Sequence, residues 1–239
     1  MRIPTGSKIL DDMLEGGYET DILTTVYGPS GSGKTTLGVL AAVSVAKRGR
    51  KVIYIDTEGG FSPERMAQIS SDYEKLIKNV IFLRPSSFKE QKKDFEKLKE
   101  LVNDKIGIII VDTIAMLYRL ELGKSEEVYE TNREMGKQLS YLAAIARKKN
   151  IPVLIANQVY ADFDNPGMFK MVGGDLLKYS SKCLIELRTK KGSNRVALLK
   201  KHRSIGESKE IAFKLVDKGL EKTTKTSIFG FWALKSRGF

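Results

Sequence analysis

The stretch ILTTVYGPSGSGKTTLGVLAAVSVA, Ile22–Ala46, decides how the rest of the chain is read. An apolar run, Ile22–Tyr27, stops at a loop punctuated by Gly28, Gly31 and Gly33, and a helical pattern starts at Lys34. GPSGSGKT matches G-x-x-x-x-G-K-[ST] at every specified position. Glycines let such a loop turn its backbone N–H groups towards an anion, and the following helix adds the positive end of its dipole. The strand before and the helix after are the context this motif requires. The reading is a nucleoside triphosphate cradle formed by Gly28, Pro29, Ser30, Gly31, Ser32, Gly33, Lys34, Thr35 and Thr36. Lys34 would reach the β- and γ-phosphates of ATP, and the Thr35 hydroxyl would ligate Mg2+. A glycine loop of purely structural purpose is the alternative.

Outward from this unit, short apolar β-branched runs alternate with stretches of helical period. Strands are predicted at Ile22–Tyr27, Val52–Asp56, Val80–Leu83, Ile106–Val111 and Ile151–Asn157. Helices are predicted at Lys34–Arg48, Phe88–Val102 and Tyr129–Lys149. Strands that are apolar almost throughout, separated by helices, predict an α/β fold with a largely parallel central sheet covered on both faces. From Lys182 the rhythm changes: CLIELR, the turn KKGSN and RVALLK read as a hairpin, and Glu210–Val216 reads as one more strand, giving an antiparallel C-terminal extension. The expected division is a core over residues 1–217 and a tail over 218–239, read as a disordered end or a docking segment.

The chain carries 41 Lys and Arg against 29 Asp and Glu, a formal charge of +12. That balance favours an anionic partner such as nucleic acid or an acidic membrane. A lone cysteine, Cys183, excludes an intrachain disulfide and reads as a small core residue. No signal pattern and no membrane-length apolar run are visible, so a soluble cytoplasmic protein is expected.

Three further residues belong beside the cradle. IGIIIVD carries Asp112 to the C-terminal end of a strand, the edge where open α/β sheets bind ligands, where it would hold Mg2+ through water. A helix-capping or turn aspartate is the alternative. DTEGGFSPER places Glu58 where a carboxylate can accept a proton from attacking water, or where it merely sits solvated before a helix. IANQV carries Gln158, an amide able to sense the γ-phosphate or to satisfy backbone groups.

The order IPTGSKILDDMLEGG, GPSGSGKTT, YIDTEGGFSPER, IIIVDTIA, IANQV resembles the RecA/RadA recombinase ATPases from about Ile3 to Val216. Within that group the chain looks most like the short archaeal paralogues of RadA. The resemblance implies a RecA-type P-loop NTPase core, with Glu58 activating water, Gln158 switching between γ-phosphate and DNA, and Arg65 beside the adenine. It also places Thr113–Glu126 and Val159–Asp175 as the two loops that face DNA. Tyr118, Tyr160, Phe163 and Phe169 fall there and are candidates for stacking on bases, although most aromatics are core residues.

The departures are informative as well. RadA carries an N-terminal DNA-binding domain and an F-x-x-A docking motif; this chain begins at the ATPase core and contains no F-x-x-A. Before Gly173 the second loop holds a single base, Lys170. From Lys178 to Lys225, fourteen basic residues face five acidic ones, a phosphate-tracking face or a solvated hairpin surface. Within it, Lys200, Lys201 and Arg203 are candidates for DNA or for trans contacts to a neighbour's phosphates, a plain basic strand end being the alternative. His202, with no ligand partners at suitable spacing, does not read as a metal ligand.

These features predict an ATP–Mg2+-dependent accessory of homologous recombination and repair with weak ATPase activity. Its expected partners are single- and double-stranded DNA, a RadA-type recombinase, a Holliday-junction resolvase and further copies of itself, with no membrane. A full recombinase with strand exchange, and a P-loop kinase or clock-type ATPase without DNA function, are the competing readings.

Overall fold

The computed structural model describes residues 1–122, 128–161, 169–190, 192–206 and 208–223. The elements run β1 (Arg2–Ile3), α1 (Lys8–Met13), β2 (Tyr18–Glu19), β3 (Leu23–Tyr27), α2 (Lys34–Ala46), β4 (Lys51–Asp56), α3 (Pro63–Ile69), α4 (Tyr73–Leu76) and β5 (Val80–Leu83). They continue with α5 (Phe88–Leu101), β6 (Ile106–Asp112), α6 (Ala115–Leu122), α7 (Val128–Lys149), β7 (Val153–Asn157), β8 (Val159–Ala161), β9 (Phe169–Met171) and α8 (Gly174–Ser180). The chain then forms β10 (Cys183–Thr189), β11 (Asn194–His202), β12 (Glu210–Val216) and β13 (Gly219–Lys222).

Among the described residues, nine strands form one sheet in the order β13-β12-β11-β10-β3-β7-β6-β4-β5. β10, β3, β7, β6, β4 and β5 are parallel, and β11, β12 and β13 extend the sheet in antiparallel pairs. Burial explains this arrangement. All seven residues of β6 are buried, and alternate side chains serve opposite layers: Ile108 and Ile110 pack with α2, whereas Ile109 and Val111 pack with α5 and α7. A strand buried on both faces has no solvent side and so reads as a continuous apolar run.

Local signals set the helix ends. Ser62 accepts from the Arg65 N–H and is followed by Pro63, so α3 starts with a side-chain cap and a pre-set φ. Ser87 caps α5 in the same way, and Phe88, Gln91, Phe95 and Leu98 share its buried face.

The predicted strands and helices are present with ends shifted by three residues or fewer. Gly219–Lys222, expected to open the tail, is a strand paired with β12. The first segment expected to face DNA is partly helical, because α6 occupies Ala115–Leu122. Tyr118 belongs to that helix; it is buried and packs edge-on against Phe88, so it is a core residue rather than a base-stacking one. Tyr160 and Phe169 are exposed on the β8–β9 hairpin. Phe163 and residues 224–239 lie outside the described residues. Cys183 is buried, and burial pushes its thiol up to about 12. Among the described residues no helix is long and apolar enough to cross a membrane.

Candidate nucleotide site

The phosphate loop sits where β3 ends at the C-terminal edge of the parallel strands. Register fixes its neighbours: Tyr27 is level with Asn157, and Asp112 is level with both Asp56 and Ala156. The acids at these strand ends therefore converge on one edge. Gly28 has no alternative, since a Cβ there would lie 2.4 Å from the Leu187 carbonyl oxygen of β10. Gly31 and Gly33 have φ of 71° and 107°, which favours glycine and turns the loop back onto the start of α2.

Lys34 is the first residue of α2 and is nearly buried. Its Nζ donates to the carbonyls of Gly28 and Pro29, both at 3.0 Å. Burial pulls its ammonium below the ordinary lysine value, and the Glu58 and Asp112 carboxylates oppose that shift. The Lys34, Thr35 and Thr36 N–H groups belong to the first turn of α2 and have no intrahelical acceptor. Ser32 Oγ is buried with no hydrogen-bond partner. A buried hydroxyl without a partner, free amides and a lysine at one point fit a polyphosphate, because each would be satisfied by anionic oxygen.

Asp112 is buried beside Thr35. Burial raises its pKa, whereas hydrogen bonds from Thr35 and from Tyr54 lower it. Tyr54 donates to Asp112 Oδ2 at 3.0 Å. A hydroxyl and a carboxylate side by side are the oxygen donors that Mg2+ takes alongside phosphate and water. Glu58 stands at the rim on a loop shaped by Asp56, whose two oxygens accept from the Gly60 and Phe61 N–H groups at 3.0 and 3.2 Å. Glu58 Oε1 accepts from Thr113 Oγ1 and from Gln158 Nε2, each at 2.7 Å. Lys34, Thr35, Asp112, Glu58 and Gln158, scattered through the chain, are thus joined by direct contacts or charge interactions.

The outer wall comes from the antiparallel extension. Leu215 Cδ2 lies 3.3 Å from where a Gly33 Cβ would be. Arg65 donates to the carbonyls of Val216 and Asp217 at 2.8 and 3.2 Å. Two residues that no sequence motif marks complete the surroundings of the loop. Arg195 donates from Nε to the Gly31 carbonyl at 3.0 Å. Asn157 Nδ2 donates to the Val172 carbonyl at 2.9 Å, while its own backbone carbonyl accepts from the Gly28 N–H. A basic residue three positions after the Gly192 turn, on the strand facing the loop's flank, is the one available signal for Arg195. Asn157 carries none, because its neighbours Val172 and Gly28 are remote in sequence.

The basic candidates lie elsewhere. His202 is level with Cys183, itself level with Thr24, so Lys200, Lys201 and Arg203 sit near the opposite edge of the sheet from their own phosphate loop. Lys200 is exposed, Lys201 donates to the Lys178 carbonyl, and Arg203 pairs with Glu19 and Asp21. Lys170 is exposed on β9, away from that group. Among the described residues no cluster of His, Cys, Asp or Glu forms a metal cage, so the candidate Mg2+ donors are the Thr35 and Asp112 pair.

A glycine-rich loop on a parallel sheet, a buried acid at a nearby strand end and a rim glutamate bridged to a strand-end glutamine define a RecA-type fold. The family model of Rad51 matches residues 1–223, and the chain belongs to the Rad51 family. It is 42% identical over 226 residues to the DNA repair and recombination protein RadB of Methanobrevibacter smithii, covering 92% of this chain and 95% of that one. It is 39% identical over 223 residues to RadB of Pyrococcus furiosus, covering 92% and 95% respectively. A crystal structure of the RadB recombinase matches with a TM-score of 0.79 and 38% identity, over 93% of this chain and all of that one.

Proposed function

We propose that the protein is an ATP- and DNA-binding accessory of homologous recombination and DNA repair, with weak ATPase activity and no strand exchange of its own. The observation that carries this reading is the Lys34–Asp112–Glu58–Gln158 constellation in a chain similar to RadB over nearly its whole length. In a bound state, the loop amides and Lys34 hold the phosphates, and Thr35 and Asp112 hold Mg2+. The metal supplies charge neutralisation at the transferring phosphoryl group. Glu58 orients attacking water and takes its proton, and Gln158 couples that carboxylate to the β8–β9 segment. Arg65 and the Val216–Asp217 turn form the base side of the cleft. Lys170, Lys200 and Lys201 are proposed phosphate contacts for DNA or a neighbouring nucleotide, and Arg203 joins them on release from its acids. Single- and double-stranded DNA, a RadA-type recombinase, a Holliday-junction resolvase and other copies of the chain are the proposed partners.

Steady-state ATP hydrolysis with and without single-stranded DNA tests this, with Lys34→Ala as blank. A slow rate that DNA barely changes is expected, together with DNA affinity that falls steeply with salt. Strong stimulation with strand exchange would instead make the protein a recombinase, as the RadB of the matching crystal structure is called. Salt-insensitive or absent DNA binding would overturn both.

A further inference from the structure

Tyr54 is a buried ionisable side chain that the phosphate chemistry described above does not use. It lies on β4, two residues before Asp56, with 0% exposure. Its ring is fixed edge-on to Phe61 at 5.2 Å and tilted against Phe82 at 5.9 Å. Its hydroxyl donates to Asp112 Oδ2 at 3.0 Å. Room for that hydroxyl comes from α2: a Cβ on Gly38 would lie 2.9 Å from it. Gly38 stands one turn beyond Lys34 on the same helix face, so one element carries both the phosphate lysine and the gap for the phenol.

A phenylalanine would fill this apolar cluster without the cost of burying a hydroxyl. The hydroxyl instead donates to the carboxylate of Asp112, an acid that also interacts with the Thr35 side chain. We propose that Tyr54 is a positioning residue for Mg2+ binding, its hydroxyl fixing the orientation of the Asp112 carboxylate, which with Thr35 would hold the cation. The inference rests on the nucleotide reading given above. It says which residue makes that site depend on the metal, rather than merely tolerate it. Partners behind a ligating carboxylate or histidine typically change metal affinity by about 10–100-fold.

The test is titration of a fluorescent ADP analogue, in EDTA and across a Mg2+ series, on the full chain and on Tyr54→Phe, Gly38→Ala and Lys34→Ala. Tyr54→Phe should bind the nucleotide as the parent does in EDTA, yet need about tenfold more Mg2+ for half of the metal-dependent gain. An unchanged Mg2+ requirement overturns the proposal, as does an equal loss of affinity with and without metal, which marks a purely structural role. Thermal melting without nucleotide checks each fold. If Tyr54→Phe does not fold, Gly38→Ala carries the test: its methyl pushes the hydroxyl off Asp112 and should shift the Mg2+ requirement in the same direction, and no shift overturns the proposal. Lys34→Ala keeps the two claims apart. Full binding by that variant removes the nucleotide reading itself; lost binding there beside an unchanged Mg2+ requirement in Tyr54→Phe removes only the role of Tyr54.

Discussion

Gln158 Nε2 donates to Glu58 Oε1 at 2.7 Å, across a hundred positions of sequence. The same oxygen takes the Thr113 hydroxyl. The atom proposed to activate water is thus engaged by two protein donors, and the glutamine end of that bridge adjoins β8.

Releasing the bridge should therefore free Glu58. Gln158→Ala is expected to raise ATP hydrolysis in the absence of DNA by a few-fold, as expected for removal of one charge-assisted hydrogen bond. It should also erase any difference made by single-stranded DNA. Glu58→Gln should abolish turnover and leave ADP affinity nearly intact. Phosphate-release assays read both, and a Gln158→Ala rate below the parent's would show that the bridge places Glu58 rather than restrains it.

Arg195 ties β11 to the phosphate loop through a single contact to Gly31. Arg195→Ala should lower nucleotide affinity about five- to tenfold through loss of that hydrogen bond and loosening of the loop. Because the side chain lies at the surface, the melting temperature should hardly change. Fluorescent-nucleotide titration and a thermal melt together check this pair of outcomes.

His202 is expected to make the fold less stable in acid. Its side chain is buried near Glu19, Glu15, Arg2 and Arg203, and burial pulls its pKa below the ordinary 6.5, the Glu19 carboxylate opposing and the arginines adding. A histidine whose folded value is lowered binds its proton more readily when unfolded. Its stabilisation is thus complete above about pH 6.5 and is lost as pH falls through the folded value. Urea titrations between pH 7.5 and 5 should show stability declining in the parent and declining less in His202→Gln.

Core packing sets the largest stability effects. Ile109 has 0% exposure in the layer between β6 and the α5–α7 pair. Ile109→Ala should cost about 2–5 kcal/mol, measured by chemical denaturation, whereas Lys200→Ala should lie within about 0.5 kcal/mol of the parent.

Much of this is legible in the sequence for identifiable reasons. β3, β4, β6 and β7 announce themselves because two-sided burial demands unbroken apolar runs. The cradle does so because only glycine tolerates its turns. Glu58, Asp112 and Gln158 each lie at or just beyond the end of such a run, and parallel register carries them to one edge. Tyr54 and Asn157 give no such sign. A tyrosine inside an apolar strand looks like core until the glycine opposite it is seen, and the meaning of Asn157 depends on what Val172 places across from it. α6 reads as loop because the family places a DNA-facing segment there, while Ile114, Ala115, Leu117 and Tyr118 supply a buried face that folds its first turns. The ion pairs of Arg203 are invisible in the sequence because Glu19 and Asp21 precede it by 184 and 182 positions.

The wall formed by β12 and β13 has a mechanical consequence. Leu215 leans on the phosphate loop, Arg65 grips the Val216–Asp217 turn, and Gly219 abuts Leu40 of α2. Force applied to the chain beyond Lys222 is therefore transmitted to both flanks of the cleft through a few ångströms of contact. If the cleft binds nucleotide as proposed, tension on this extension would be felt at the phosphate loop, and a filled cleft would resist it.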